Sequence, residues 1–358
     1  MNESTLGRGV GRATRVYGVQ AGVLLALIVT LFVVVSEFTV GAAVFGTLDG
    51  VALIGITAAG LAVTMIAGEL DMSVGSMAAL AGVIAIRAGE LGLVPALLIG
   101  TGSGIVLGLA QGLLIARLQI SSLVVTVGTW IGFSGFALVL ADDRPIGLDE
   151  LTTTDPLLVE WLSMTPATLI GIGVIVLLGL FLGLTRWGRE IYAVGGARRE
   201  ARAAGVPVNA SLTTAFGISG GCAALAGSIA CMQGASADPR GFTSLMLSAV
   251  SACLIGGISL YGGRGNAVNV LLGVLILCLV IAGATAAGAP TYVTGLVAGA
   301  LLMLVVTLEF VLDRTVAARR INAARSRHAA ALLAGAGGRE STAPAQGAAP
   351  PSGPRKEG

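Results

Sequence analysis

Lysine is almost missing from this chain: of 21 basic residues only Lys356, next to the end, is a lysine. No Gly-x-x-x-x-Gly-Lys-Ser/Thr loop can therefore precede the extreme tail, which excludes nucleotide hydrolysis by that route. Histidine is rarer still in function, since the single His328 sits in a polar tail. No apolar stretch then holds a His-containing metal cluster or a nucleophile beside a base, so intramembrane enzyme chemistry has no residues to use. The four cysteines, Cys222, Cys231, Cys253 and Cys278, lie inside apolar stretches without metal-ligand spacing and read as small packing residues. Charge is scarce as well, at 11% of residues against 55% apolar.

What is present is a series of about ten apolar runs. A hydrocarbon core of roughly 30 Å needs about 20 helical residues per crossing. Spans are expected near 19–35, 50–67, 74–88, 93–115, 122–141, 166–184, 210–231, 243–257, 267–286 and 291–312. Threaded in alternate directions, they leave only Arg87, Arg144 and Arg240 of the 21 basic residues on one side. That asymmetry places both termini in the cytoplasm. Arg8, Arg12 and Arg15 precede a first run too long for a cleaved leader, so it reads as a retained span. The expectation is an all-α polytopic membrane protein of about ten helices with one or two short or broken ones. The third and eighth runs are short, and Gly256 and Gly257 interrupt the eighth, which predicts a broken or re-entrant crossing.

The organisation follows. Residues 1–18 form a cytoplasmic leading segment, 19–312 one membrane domain, and 313–358 a cytoplasmic tail. The tail turns from Arg and Ala to Gly, Ala, Pro and Ser, too poor in apolar surface to offset its ordering entropy. The longest external connection, 142–165, is acidic, with Asp142, Asp143, Asp149, Glu150, Asp155 and Glu160 against Arg144. Glycine is abundant, 54 residues, and Gly100, Gly102, Gly104 and Gly108 illustrate how it lets helices approach in lipid.

Three segments carry mechanism. In the first, Ile66 to Ser76, Glu69, Asp71 and Ser73 interrupt apolar sequence between Gly68 and Gly75. A carboxylate at the bilayer centre costs on the order of 2.5 to 3.5 kcal/mol, so these need an interface or partners. Either Asp71 or Ser73 caps the next helix, or the segment takes part in gating. The second is cytoplasmic, from Thr185 to Asn209. Ala197 to Ala204 reads as a short surface helix stopped by Gly205, with Pro207 beyond and Arg198, Arg199 and Arg202 outward. It suits docking to a soluble partner or, equally, anchoring topology. The third, Ile255 to Asn266, is a glycine-rich turn. It echoes the first if Gly68, Leu70, Met72 and Gly75 are set against Gly256, Ile258, Leu260 and Gly263.

In this order the segments resemble permease subunits of bacterial ABC importers of the ribose, xylose and galactose class, related more distantly to branched-chain amino-acid permeases. Gly68 to Ser76 resembles the family's Gly-Gly-Ile-Asp-Leu-Ser-Val-Gly-Ser, with Glu69, Leu70 and Met72 as departures. Gly195, Gly196, Ala201, Arg202 and Gly205 resemble its coupling segment, placed here at 195–207. Ser259, Leu260, Gly262, Gly263 and Gly265 match its late turn. Ala197 and Asn269 also depart from it, Asn269 standing where glycine is usual.

The resemblance implies a subunit of the bacterial inner membrane with no bound cofactor of its own and no nucleic-acid partner. It implies a second permease copy or homologue, two cytosolic ATPase domains holding ATP and magnesium, and an extracytoplasmic binding protein that delivers a small polar solute, a simple sugar. Coupling would run through Gly195, Gly196, Arg198, Arg199, Ala201, Arg202 and Gly205. By position, Thr126, Thr129, Trp130 and Ser134 on the fifth span are assigned to the translocation path. The competing expectation is an ion-coupled carrier using Glu69 or Asp71.

Overall fold

In the computed structural model, residues 50–148, 155–158 and 165–290 are described continuously, with isolated positions in 22–48 and 292–307. Most of the expected first and last spans, the leading segment 1–18, the tail 313–358 with His328, and half of the acidic connection fall outside the described residues. A π-helical turn, Val51–Gly55, runs into α1 (Ile56–Ile66), and α2 (Val74–Arg87) follows. Then come α3 (Leu93–Leu118), α4 (Ser122–Leu140), the short α5 (Asp155–Leu158) and α6 (Pro166–Leu184). Two surface helices, α7 (Arg186–Gly196) and α8 (Arg198–Ala203), lead to α9 (Val208–Gln233), α10 (Thr243–Ile255) and α11 (Ala267–Ala286). The chain divides into two units, Met1–Val305 and Val306–Gly358, and these elements all lie in the first.

Each span expected between 50 and 286 meets a helix. Among the described residues α3, α4, α6, α9 and α11 are long and apolar enough to cross a membrane. The two runs marked as short are short: α2 has 14 residues and α10 has 13. At 1.5 Å per residue each reaches only about 20 Å. Helix starts are legible in local chemistry. Thr165 accepts the N–H of Thr168 (3.3 Å) with Pro166 at the first helical position of α6, and Asn266 does the same for Asn269 (3.0 Å) at α11.

The bundle is built around α9, whose apolar window is 83% buried, whereas that of α4 is only 11% buried. In lipid no water exclusion drives helices together, so close packing must do it. Gly100, Gly104, Gly108 and Gly112 form an i, i+4 stripe on α3. A methyl at Gly108 would collide with the Phe216 carbonyl of α9, and one at Gly112 would lie 2.8 Å from Phe216 Cβ. Gly102 is two residues off that stripe, about 200° around the helix, and faces open space. The cysteines serve the same packing: all four are buried and unbridged, and Cys222, Cys231 and Cys278 lie against Gly60, Gly82 and Gly50. Large apolar side chains such as Leu98, Val106, Ile131, Phe136 and Val139 are left exposed on α3 and α4, as lipid-facing or subunit-facing surfaces are.

Connections sort into two sets. At one end the turn after α1, the α6 to α9 linker and the α10 to α11 turn meet. At the other end Arg87 pairs with Asp142 (3.1 Å) and Arg240 with Asp143. There a two-residue ladder, β1 (Ile146–Gly147) with β2 (Ser236–Ala237), departs from a purely helical chain. The partition matches the alternation expected from the arginines.

Candidate functional site: the junction of three glycine turns

The three segments singled out in the sequence come together at the arginine-rich end. Helix α1 stops at a left-handed glycine, Gly68 (φ 81°). The N–H of Gly68 bonds the Met65 carbonyl (3.0 Å) and that of Glu69 the Thr64 carbonyl (2.9 Å), closing the open helix end. Beside this stop lies the end of α7. A methyl on Gly195 would collide with the Ile66 carbonyl and lie 2.8 Å from the Gly263 nitrogen, and one on Gly262 would lie 2.7 Å from the Gly68 Cα. The Gly263 N–H donates to the Ile66 carbonyl (2.8 Å). Ser259 knits the third turn by accepting the Tyr261 N–H (3.2 Å), and Tyr192 of α7 donates to the Gly265 carbonyl (2.6 Å). Main chains touch here with no side chains between them, which only glycine permits.

The echo between the first and third segments is a real likeness of helix stops in a different register. Helix α10 ends as α1 does, with Gly257 (φ 83°) left-handed and Ile258 bonded back to the Cys253 carbonyl (3.0 Å). Gly68 therefore corresponds to Gly257, one residue beyond the Gly256 alignment.

Above the junction, α8 spans Arg198–Ala203 and ends as expected. The N–H of Gly205 (φ 82°) bonds the Arg202 carbonyl (3.1 Å), and that of Val206 the Ala201 carbonyl (3.0 Å). Arg199 and Arg202 are on the exposed side, whereas Ala201, 6% exposed, turns into the bundle. Arg198, outward as expected, also pairs with Glu69. Helix α7 was not foreseen. Its signals were Thr185, which caps by accepting the Gly188 N–H (3.0 Å), and the i, i+4 pair Arg186 and Glu190 (2.8 Å).

Asp71 is 2% exposed and lies inside the bundle. It receives the Ser73 N–H (3.0 Å) in a local turn, but Ser73 stands at the N-cap of α2 without a side-chain cap bond, so the capping alternative is not what the structure shows. Its carboxylate collects far more. Oδ1 also accepts from Ser73 Oγ (2.6 Å) and Gln111 Nε2 (3.2 Å), and Oδ2 from Ser219 Oγ (2.8 Å). Gln111 Oε1 in turn accepts from Thr129 Oγ1 (2.7 Å), and Thr126 Oγ1 donates to the Leu70 carbonyl (3.4 Å). A carboxylate held by neutral donors thus ties the α1 to α2 turn to α3, α4 and α9. Gln111 and Ser219 were not read from the sequence. Gln111 could have been, as the one amide in the largely apolar α3.

The four residues assigned to the path share a face of α4 but split in role. Thr126 is buried and, with Thr129, belongs to the Asp71 network. Trp130 and Ser134 line a cleft of about 470 Å³ together with Ser76, Arg240 and Thr243. The segment before α10 dips inward, and the Phe242 carbonyl would lie 2.7 Å from a methyl on Gly75 at the start of α2. That entry inside the bundle is why α10 is short.

The chain is 31% identical over 285 residues to the L-arabinose transport system permease protein AraH of Escherichia coli, covering 76% of this chain and 86% of that protein. Against the L-arabinose ABC transporter permease protein AraH of Azospirillum brasilense it is 32% identical, covering 80% and 85%. It is 29% identical to the ribose import permease protein RbsC of Escherichia coli, covering 80% and 90%. Such relatives give the ion-coupled alternative no support, and both of its carboxylates are already engaged, Asp71 by hydroxyls and amides and Glu69 by Arg198. Residues 43–306 match the family described as branched-chain amino acid transport system / permease component, and the chain belongs to that family of multi-pass membrane permeases.

Proposed function

We propose that the chain is the membrane-spanning subunit of an ATP-driven, binding-protein-dependent importer of a simple sugar. The named relatives handle arabinose and ribose, and a further one, at 29% identity, is the fructose import permease protein FrcC of Rhizobium meliloti. The single observation that carries the coupling half is the junction of Gly68, Gly195 and Gly262 beneath α8. An arginine-bearing surface helix that starts three residues past Gly195 and pairs through Arg198 with Glu69, next to Gly68, is placed to pass a push from a soluble partner into the bundle.

In this reading α8 and its flanks, residues 195–207, dock on cytosolic ATPase subunits that bind ATP and magnesium. Both termini are cytoplasmic, in the bacterial inner membrane. A second copy or a homologue packs against the exposed apolar face of α4, and a binding protein delivers sugar to the end bearing Arg87 and Arg240. Thr126, Thr129, Trp130 and Ser134 line the path, with Trp130 offering an aromatic face and Ser134 a hydroxyl to a sugar. This subunit forms no covalent intermediate. It alternates access as nucleotide closure in the partners moves α8.

The test is import into vesicles reconstituted with the ATPase and binding protein, offered labelled arabinose, ribose and fructose in turn. Accumulation of one sugar that requires ATP and persists when the proton gradient is collapsed is expected. Accumulation without nucleotide, or dependence on the proton gradient with ATP maintained, overturns the reading.

A further inference from the structure

We propose that the ion pair between Glu69 and Arg198 is a positioning contact that makes the turn after α1 move with α8, carrying displacement of α8 to α4 through Asp71, Gln111 and Thr129. The proposal rests on α8 being the partner-facing segment and deepens that reading. The two residues are 129 positions apart and belong to two different segments of the site. Glu69 stands where the resembled motif usually has glycine, which could not make this contact.

The geometry singles this pair out. Glu69 is held by its own N–H on the Thr64 carbonyl (2.9 Å), so its side chain leaves a fixed point. It is 11% exposed, while Arg198 at the start of α8 is 42% exposed. Helix α8 is only six residues long, between Ala197, whose backbone is extended, and the left-handed Gly205. It packs on α7 and α9, with Ala201 buried, and this pair ties its first residue to the turn after α1. Two residues beyond Glu69, Asp71 grips Gln111 (3.2 Å), and Thr129 of α4 bonds the same Gln111 (2.7 Å). Thr126 reaches the intervening Leu70 carbonyl (3.4 Å). Every link from the surface helix to the face of α4 is thus a charged or hydrogen-bonded contact of short reach. A pair with one partner this exposed is also weak enough to yield and re-form within a transport cycle.

The test uses the full complex of permease, ATPase and binding protein in vesicles, reading sugar imported per ATP hydrolysed. Glu69→Gln and Arg198→Gln are each expected to lower that ratio about three- to fivefold, the upper part of the range for one partly exposed pair, with the ATPase still co-purifying. The exchanged variant Glu69→Arg with Arg198→Glu restores it to within about twofold, which a merely structural role of either residue would not produce. Raising salt to about 0.5 M lowers the ratio of the parent and not that of Glu69→Gln, because a partly exposed pair is screened. Single variants that keep the parental ratio, or an exchange no better than the singles with assembly intact, overturn the proposal. If Arg198→Gln loses the ATPase while Glu69→Gln keeps both ATPase and ratio, Arg198 serves the partner directly and the proposal also fails. A parent that imports without nucleotide defeats the underlying reading instead, and with it the proposal.

Discussion

Gly195→Ala adds one methyl at the point where three turns touch. The new carbon would fall on the Ile66 carbonyl, inside van der Waals contact, and 2.8 Å from the Gly263 nitrogen. Both neighbours are main chain and cannot rotate aside. Either α7 withdraws from the junction or the Gly263 N–H to Ile66 carbonyl bond (2.8 Å) opens. Overpacking of a tight site costs about 1–3 kcal/mol, and loss of the bond adds about 1 kcal/mol. A destabilisation of about 2–4 kcal/mol follows, concentrated beneath α8. Thermal unfolding of the purified protein in detergent should show a midpoint several degrees below the parent, and ATP-driven uptake should fall further than the loss of folded protein explains. Gly196 is the internal standard, since a methyl there meets nothing within 4 Å, so Gly196→Ala should unfold with the parent. Equal midpoints for Gly195→Ala and Gly196→Ala would refute the close approach on which the junction depends.

Asp71→Ala removes the acceptor of four hydrogen bonds; at about 0.6 kcal/mol for each bond within a membrane, a loss of about 2–3 kcal/mol is expected in detergent unfolding. Asp71→Asn should lose less, since an oxygen and most of the packing remain. Gly104→Val and Gly102→Val form a contrast on one helix: the first drives a side chain into Ala224 and Gly220 of α9, the second faces open space. Only the first should cut the yield of folded protein from membranes. Trp130→Ala, on the cleft with Ser134, should raise the sugar concentration needed for half-maximal import and leave the unfolding midpoint unchanged, since Trp130 is partly exposed.

Much of this was legible because a bilayer makes strong demands on sequence. The span expected at 166–184 coincides with α6 because Thr165 and Pro166 mark its start and Thr185 its end. The shortness of the third and eighth runs was visible in the spacing of polar residues. What could not be read was helix phase. In a bundle apolar on every side, nothing in α3 distinguishes the stripe through Gly100 and Gly104 from Gly102. For the same reason the partners of Asp71 were hidden: Ser219 is one hydroxyl among many in α9, and only its level in the bundle brings it to the carboxylate. Ala201 shows the limit at the surface too, since a six-residue helix has no periodicity from which its inward side could be told.

Asn269 and Glu69 both stand where the resembled family has glycine, and the two replacements do different things. At Asn269 the chains of α10 and α11 cross so closely that a methyl on Gly256 would strike the Asn269 carbonyl, and one on Gly273 would lie 2.6 Å from the Gly256 nitrogen. The larger residue fits because its amide uses that closeness, donating to the Gly256 carbonyl at the end of α10. It therefore binds the end of a short helix to its neighbour, a task glycine would leave undone. Asn269→Gly forfeits that bond, about 0.6 kcal/mol, and lowers helix propensity by about 0.3 kcal/mol, since asparagine is already a poor helix former. A loss of about 0.9 kcal/mol is expected in detergent unfolding. Asn269→Leu should cost more, because it loses the bond and presses branched carbons against the α10 end. A stabilising Asn269→Gly would mean that close approach outweighs the amide bond and that this chain tolerates the side chain as a burden.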